Sequence, residues 1–346
     1  MSKRCFPRVA VLGEGEEAER WASALGDLAQ VCPLPQQLTG QIDALVITRG
    51  AGDPFARAKE ALQAEVAVLY AAPFLLSPWQ AGALNDLSRR QGQLLRFAEL
   101  FQYQPGFAFL RRLLEGGEPL WRPLYLRMLC LAQPDGAARI DELAIQELAI
   151  CGALLGDEPR SVTATASRRN GTGDVCAVFL VLHYNAGPLV QCTISLAEAT
   201  SGRQLVAATP DHTLIMDELG PIASLRIVGG EHELFGEELT GAASGRGRGE
   251  RLFASPEHDA VAQEAKRFLS AVTEDDRSVA NGERWERVAA LWWAARQSMN
   301  MEGPAVLPVQ TVKPAITEPP PLRVIEGGGH TAQTARSRPS LTVVNR

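Results

Sequence analysis

The 346-residue chain lacks the features that mark several protein classes. Its net charge is −6, so it has no surplus of lysine and arginine with which to displace the counterions of a nucleic acid. It has no apolar run near the roughly 20 residues that span a bilayer. The basic N-terminus is followed by an apolar run at 9–12 that is too short for a signal peptide. We therefore expect a cytoplasmic protein that binds neither nucleic acid nor membrane.

Cysteine and histidine at metal-ligand spacing are also missing. The six cysteines are scattered along the chain, none forms a Cys-x-x-Cys pair, and the five histidines do not fall near them at ligand spacing. This distribution argues against a zinc site and against a disulfide framework, and it predicts buried free thiols. No metal site is predicted, and no repeat of solenoid period is visible.

The first third of the chain alternates short apolar runs with helical patterns. Strands are predicted at 8–12, 42–47, 66–70 and 93–97, and helices around Trp21, at 54–64 and at 78–91. Strands that are apolar throughout are typical of a parallel sheet covered on both faces. We therefore predict an α/β fold that begins with a Rossmann-type parallel sheet, in a domain spanning 1–104.

The pattern changes after Pro105. Helices are predicted at 106–115, 138–155 (ending at Gly156), 257–272 and 283–300, and strands at 121–131, 161–166, 174–183, 188–197 and 204–209. Successive short strands favour an α+β domain with a mostly antiparallel sheet, at 105–310. The glycine- and arginine-rich segment 245–251 is predicted to be a mobile loop. The proline- and glycine-rich composition of 311–346 predicts a disordered tail.

Seven short motifs stand in the order found in the Gfo/Idh/MocA oxidoreductases, and the chain resembles that family over about residues 8–308. Val9 to Ala18 resembles its first strand and glycine turn. Ile42 to Leu62 resembles its D-A-V-I-x-T … A-x-x-A-L strand and helix, and Leu143 to Pro159 its second-domain helix that ends in L-L-G-x-x-P. The resemblance implies a Rossmann domain followed by an open antiparallel sheet, with NAD or NADP as cofactor. It further implies hydride transfer to or from a sugar or polyol, and a homo- or hetero-oligomer formed through the second sheet.

The turn after the first strand is the candidate cofactor site. Gly13 and Gly15 would let a pyrophosphate approach the backbone at a helix N-terminus, and Ala18 takes the place of the third glycine. The resemblance adds Thr48 and, in a backbone role, Pro73 to this site.

Two features oppose cofactor binding at this turn. Glu14, Glu16 and Glu17 would repel a pyrophosphate unless they point outward, and the stretch 30–35 offers neither an acid nor a base for the ribose. Dinucleotide binding and a turn kept only for folding therefore both remain open.

The positions that carry chemistry in the family hold other residue types here. Ala72 stands where the resemblance expects the lysine of Glu-Lys-Pro, Gln146 where it expects the histidine, and Ala149 where it expects the aspartate. Gln146 cannot relay a proton, because an amide does not titrate in water. A register shift of one residue would bring in Glu147 as a weak substitute, although a solvated helix face is the simpler interpretation of its charge.

Three hypotheses follow. The chain is a degenerate family member that acts as a partner or ligand-sensing subunit, or it is an active NAD(P)-dependent oxidoreductase with relocated residues such as Glu147, His183 or Tyr70. The third is a binding module that holds a nucleotide or sugar without turnover. Elsewhere, the sequence around His212 predicts a turn, and Trp285 and Trp292 are predicted to serve packing.

Overall fold

The computed structural model describes residues 6–71, 75–115, 122–133, 139–156, 159–185, 187–219, 224–229, 250–254, 259–301, 305–306 and 323–324. Two β-sheets with packed helices make up this part of the chain.

The first sheet has five parallel strands in the order β2-β1-β3-β4-β5. Its strands are β1 (Arg8–Leu12), β2 (Gln30–Cys32), β3 (Ala44–Ile47), β4 (Ala67–Tyr70) and β5 (Leu95–Phe97), with helices α1 (Gly15–Gly26), α2 (Pro54–Gln63) and α3 (Pro78–Gln91) between them. β3 and β4 are buried at every position, because helices cover both faces. The predicted Rossmann-type parallel sheet is confirmed.

The connection from β2 to β3 is short. Residues 33–43 cross from one side of β1 to the other and contain no helix. In the common doubly wound order 3-2-1-4-5-6, a further strand lies outside the second one. Here β2 is itself the edge strand. The side of the sheet that surrounds the adenosine of a dinucleotide in such folds is therefore one strand smaller.

The second sheet has ten strands in the order β13-β12-β11-β10-β6-β9-β8-β7-β14-β15, and every neighbouring pair is antiparallel except β6 and β9. These strands are β6 (Tyr125–Leu131), β7 (Ser161–Arg168), β8 (Val175–His183), β9 (Leu189–Ser195), β10 (Gly202–Ala208), β11 (His212–Asp217), β12 (Ser224–Gly229), β13 (Glu250–Ala254), β14 (Ala305–Val306) and β15 (Arg323–Val324). The predicted mostly antiparallel second sheet is confirmed. The turn predicted around His212 is confirmed, because Pro210 and Asp211 connect β10 to β11 and the Thr209 N–H donates to the His212 carbonyl at 2.9 Å. His212 itself begins β11 and is buried.

Four further helices are α4 (Pro105–Glu115), α5 (Ile140–Leu155), α6 (Ala260–Glu274) and α7 (Gly282–Met301). α5 and α7 pack on one face of the second sheet, whereas α6 packs on α1 and α7 also packs on α3. α5 ends at Gly156 in the left-handed conformation, as predicted. Trp285 and Trp292 are buried in the core, which confirms their predicted packing role. α7 therefore joins the two sheets, because it contacts α3 and β5 of the first and β7 of the second.

The side chain of Asn281 lies against the outer edge of β5. Its Oδ1 accepts a hydrogen bond from the Phe97 backbone N–H at 2.8 Å, and its Nδ2 donates to the Phe97 carbonyl at 2.9 Å. Both backbone groups of this edge residue are thereby paired.

Two predicted segments fall mostly outside the described residues. Within 311–346 the structure describes only β15, which pairs with β14, and of the predicted loop 245–251 it describes only the end that enters β13. Among the helices that are described, none is both long and apolar enough to cross a membrane.

Candidate active site

The turn after β1 packs directly on the end of β3. A Cβ at Gly13 would lie 1.8 Å from Thr48 Oγ1 and 2.6 Å from the Arg49 carbonyl oxygen, so only glycine fits. The Thr48 N–H donates to the Leu12 carbonyl at 2.8 Å and the Glu14 N–H donates to the Arg49 carbonyl at 3.0 Å. The structure therefore brings the predicted residues Gly13 and Thr48 together, through backbone packing that does not depend on a ligand.

The N-terminus of α1 is open to an anion. Glu14 takes the N-cap position but makes no side-chain capping hydrogen bond, so its side chain satisfies none of the first N–H groups of the helix. Gly15 and Glu16 are exposed, and Ala18 is half-buried. The acidic side chains at 14 and 16 thus lie in solvent, which weakens the repulsion expected from the sequence.

Glu17 is the acidic residue that stays near the turn. Its Oε2 lies 3.7 Å from Arg49 Nε. Burial raises the pKa of Glu17, the Arg49 guanidinium opposes this effect, and the charge of Glu142 adds to it. One negative charge of the turn is therefore partly neutralised by a neighbouring arginine.

Arg49 connects the glycine turn to the second domain. Its Nη1 and Nη2 donate to the two carboxylate oxygens of Glu142 on α5 at 3.2 and 2.9 Å. The hydrogen bond to Glu142 raises the pKa of Arg49. Sequence reasoning missed this residue, because an isolated arginine in a loop carries no pattern and its partner is 93 residues away.

Gln146 lies one helical turn after Glu142 on the same face of α5 and is half-buried, whereas Ala149 is fully buried. The two positions at which the sequence resemblance expects the histidine and the aspartate thus lie on a helix that Arg49 ties to the glycine turn. The other two sequence-predicted positions, Ala72 and Pro73, lie outside the described residues.

Glu147 is turned into the protein, and the expectation of a solvated helix face is wrong. Its side chain is completely buried, and Arg203 Nε donates to its Oε1 at 2.7 Å. Arg203 also lies 3.5 Å from Glu218. The physical reason is that α5 is packed between the second sheet and other helices, so nine of its 16 residues are buried.

The other two candidate residues for proton transfer are Tyr70 and His183. Tyr70, at the end of β4, is buried with its ring centroid 5.3 Å from that of Phe97, and burial raises its pKa. His183 ends β8 on the second sheet, and burial followed by the charge of Arg160 lowers its pKa. At neutral pH these shifts keep the phenol protonated and the imidazole uncharged.

The described residues contain no group of three or more potential ligands that could hold a metal ion. Their five cysteines are free thiols, of which Cys130, Cys151 and Cys192 are buried. Burial raises the pKa of each of these three thiols, so they are protonated and unreactive at neutral pH.

Neither a protein-family model nor a curated protein matches this sequence. Solved structures do resemble it. UDP-N-acetylglucosamine 3-dehydrogenase from Acidithiobacillus ferrooxidans has 22% identity and a TM-score of 0.70, covering 84% of this chain and 97% of that one. An oxidoreductase from Agrobacterium radiobacter, in complex with NAD+, L-tartaric acid and magnesium, has 18% identity and a TM-score of 0.70 over 86% and 97%.

A third similar structure is a mutant 3-ketoreductase from Actinomadura kijaniata, in complex with TDP-benzene and NADP. It has 19% identity and a TM-score of 0.66, covering 84% of this chain and 97% of that one. At such identities the likeness shows the fold alone. The chain has the fold of these dehydrogenases and oxidoreductases, a parallel sheet with helices followed by a mostly antiparallel sheet, in agreement with the fold that the sequence motifs imply.

Proposed function

We propose that this chain is a catalytically degenerate relative of the Gfo/Idh/MocA oxidoreductases, which binds NAD or NADP at the glycine turn around Gly13 and acts as a ligand-binding or partner subunit. The observation that carries the proposal is the arrangement on α5. The half-buried face offers Gln146, and the neighbouring acid Glu147 is held under the helix by Arg203.

Cofactor binding is supported by the geometry of the glycine turn. The first N–H groups of α1 receive no side-chain cap from Glu14, and a helix N-terminus in this state favours a phosphate. Similar structures bind NAD+ and NADP. The short 33–43 connection removes contacts that would hold an adenosine, so we expect weak binding.

The loss of hydride-transfer chemistry is supported by the residues at the family positions. Ala72 has no ammonium group to stabilise a developing negative charge. Gln146 and Ala149 cannot exchange a proton with a substrate hydroxyl. To exchange a proton with a substrate, Glu147 would have to break its ion pair with Arg203. Breaking a buried ion pair is costly, because it leaves the buried guanidinium without this carboxylate.

A partner surface is supported by the second sheet. α5 and α7 cover one face. On strands of that sheet Phe179, Leu189 and Val228 are exposed by 44%, 45% and 39%. Apolar side chains that alternate with buried ones along a strand suit pairing of two sheets. We propose that the face of the second sheet opposite α5 and α7, which carries these three exposed side chains, binds a second copy of the chain or an active paralogue.

Fluorescence titration of the full chain with NADH and NADPH tests the binding part. Turnover assays with UDP-N-acetylglucosamine, inositols and other polyols test the degenerate part. We expect saturable binding without a change in cofactor absorbance. The absence of binding at millimolar cofactor would refute the first part, and steady oxidation or reduction of the cofactor would refute the second.

A second candidate function is an active oxidoreductase that uses Glu142. The observation in its favour is that this carboxylate contacts Arg49 at 2.9 Å, beside the glycine turn. In that case the Glu142→Gln variant would lose all turnover and retain NADH binding. A wild-type chain without turnover removes this alternative.

A further inference from the structure

A cavity of about 670 Å³ lies on the outer side of β5, away from the glycine turn. Its walls come from the C-terminal half of α3, from β5, from the ends of α4 and α5, and from residues 277–287 at the start of α7. β3 and β4 separate β5 from β1 in the sheet. The cavity is therefore distinct from the candidate cofactor site, and its volume is in the range of small-molecule sites.

Arginines predominate among the charged side chains that line this cavity. Seven arginines line it, together with three glutamates. Its floor is rigid, because Arg96 is 2% exposed and donates to both carboxylate oxygens of the buried Glu264 at 2.5 and 3.0 Å. Arg96 Nη1 also donates to the Val279 carbonyl at 2.6 Å. The floor thus fixes the position of one arginine side chain before any ligand enters.

The rim differs from the floor. The side chains of Arg89 and Arg277 are 44% and 53% exposed. Arg89 pairs with Glu283, which is 61% exposed, and with Asp86 one helical turn away, which is 21% exposed; Arg277 pairs with Asp275, which is 82% exposed. Ion pairs this exposed contribute little to stability, because water screens them. The contacts of Arg89 with Glu283 and of Arg277 with Asp275 can therefore open for a ligand at little cost. Asp86 still holds the Arg89 side chain at the rim.

The start of α7 adds backbone N–H donors beside the acidic side chain of Glu283. Gly282 and Glu283 line the cavity at the N-terminus of this 20-residue helix. The side-chain amide of the preceding residue, Asn281, is hydrogen-bonded to the backbone of Phe97. This amide is therefore engaged elsewhere than at the first N–H groups of the helix. N–H groups in the first turn of a long helix attract an anion.

We propose that this cavity is a binding site for a small multivalent anion that carries phosphate or carboxylate groups. Guanidinium groups bind both kinds of oxyanion through paired N–H donors. Arg96 forms the floor, Arg89 and Arg277 close over the ligand, and the start of α7 contributes N–H donors. A bound ligand bridges α3 of the first domain and α5 of the second.

Isothermal titration of the full chain with pyrophosphate and, separately, with citrate tests this site, with sodium chloride of matched ionic strength as the blank. We expect saturable binding of at least one of the two, and the stronger one identifies whether phosphate or carboxylate is preferred. The double variant R89Q/R277Q should weaken binding by about tenfold, since it removes two charge-assisted contacts. The matched variant R20Q/R57Q removes the same charge from exposed arginines elsewhere and should bind as wild type does.

Pyrophosphate also suits the glycine turn, so the titration is repeated with saturating NADH and with the Arg49→Gln variant. Binding at the β5 cavity should be unchanged in both. Absence of saturable binding at millimolar anion, equal weakening in the two double variants, or competition with NADH would overturn the proposal. Circular dichroism of each variant checks that it is folded. The result does not depend on whether the chain binds a dinucleotide.

Discussion

The guanidinium of Arg49 holds both carboxylate oxygens of Glu142, with N–O distances of 3.2 and 2.9 Å. Arg49 follows the third parallel strand and Glu142 stands in the first turn of α5. The Glu142 side chain is 11% exposed and that of Arg49 is 45% exposed, so water screens this pair from one side. The contact ties the carboxyl end of the central strand of the parallel sheet to α5.

Replacing Glu142 by Gln should strengthen NADH binding several-fold. The substitution removes a negative charge beside the glycine turn and releases the Arg49 guanidinium toward a phosphate. The gain should shrink at high salt, because salt screens exposed charges. Fluorescence titration at two salt concentrations measures it. Glu60→Gln breaks another exposed arginine–glutamate pair and should leave the affinity unchanged; equal gains in both variants would contradict a role for Arg49.

Replacing Glu17 by Gln should stabilise the protein at neutral pH. Burial raises the pKa of Glu17 above its ordinary value of 4.5. A raised folded-state pKa gives a stabilising contribution below the unfolded value, which is lost as pH rises through the folded value. Wild type and the Glu17→Gln variant should therefore have similar stability below about pH 4. As the pH rises toward 7, wild type should become less stable than the variant.

Urea denaturation at several pH values between these limits follows the effect of Glu17→Gln. The exposed neighbour Glu16 provides the control, because Glu16→Gln removes the same charge without a buried carboxylate. A variant that is less stable than wild type at neutral pH would show that the contact with Arg49 outweighs burial.

Removing Arg203 alone should destabilise the fold strongly. Arg203→Met leaves the carboxylate of Glu147 buried without its cation, which costs about 3–5 kcal/mol. The double variant R203M/E147Q removes both charges and should recover most of this loss. Urea unfolding of the two single variants and the double variant gives the coupling. Additive losses would show that the two side chains do not stabilise each other.

Local sequence patterns were sufficient for much of the fold, and non-local pairing accounts for what they missed. The runs at 44–47 and 67–70 are apolar at nearly every position, so they indicate buried parallel strands without knowledge of the partners. β11 and β12 mix polar and apolar residues, and only their pairing with each other and with β10 makes them strands. The alternation Ser224-Leu225-Arg226-Ile227 in β12 is itself a short strand pattern, but it does not identify the partner strands.

The candidate site shows the same limit. Gly13 was identifiable because a glycine turn after an apolar strand is a local motif. Glu147 was assigned to solvent because its neighbours in sequence do not reveal Arg203, which is 56 residues away. The buried ion pair and the Arg49 bridge both depend on the packing of α5, which is set by the whole second sheet.

Replacing Gly13 by Ala should cost about 1–3 kcal/mol, the usual penalty for overpacking. The new methyl group would lie 2.6 Å from the Arg49 carbonyl oxygen, and backbone cannot rotate away as a side chain can. Gly26→Ala is the matched control, because the space around Gly26 is open and its φ is not in the left-handed region; it should stabilise slightly. Thermal unfolding of both variants compares them. A Gly13→Ala protein of wild-type stability would contradict this, because it would mean that the turn after β1 can move away from the end of β3 and make room for the methyl group.

Replacing Leu189 by Lys should weaken self-association if the second sheet pairs with another copy. An ammonium group on that face would have to be buried against apolar side chains. Leu75→Lys changes a leucine of the same 45% exposure in the first domain and should leave the assembly intact. Light scattering after size-exclusion chromatography measures the mass of each. Identical masses for wild type and Leu189→Lys would locate the interface elsewhere.

The side-chain amide of Asn281 occupies the place that a sixth strand would take beside Phe97. An exposed strand edge is a template on which another chain can add its own strand, and growth by such addition leads to fibrils. Because this amide saturates the N–H and the carbonyl of Phe97, the parallel sheet terminates here. The first domain is thereby protected against edge-to-edge aggregation on this side.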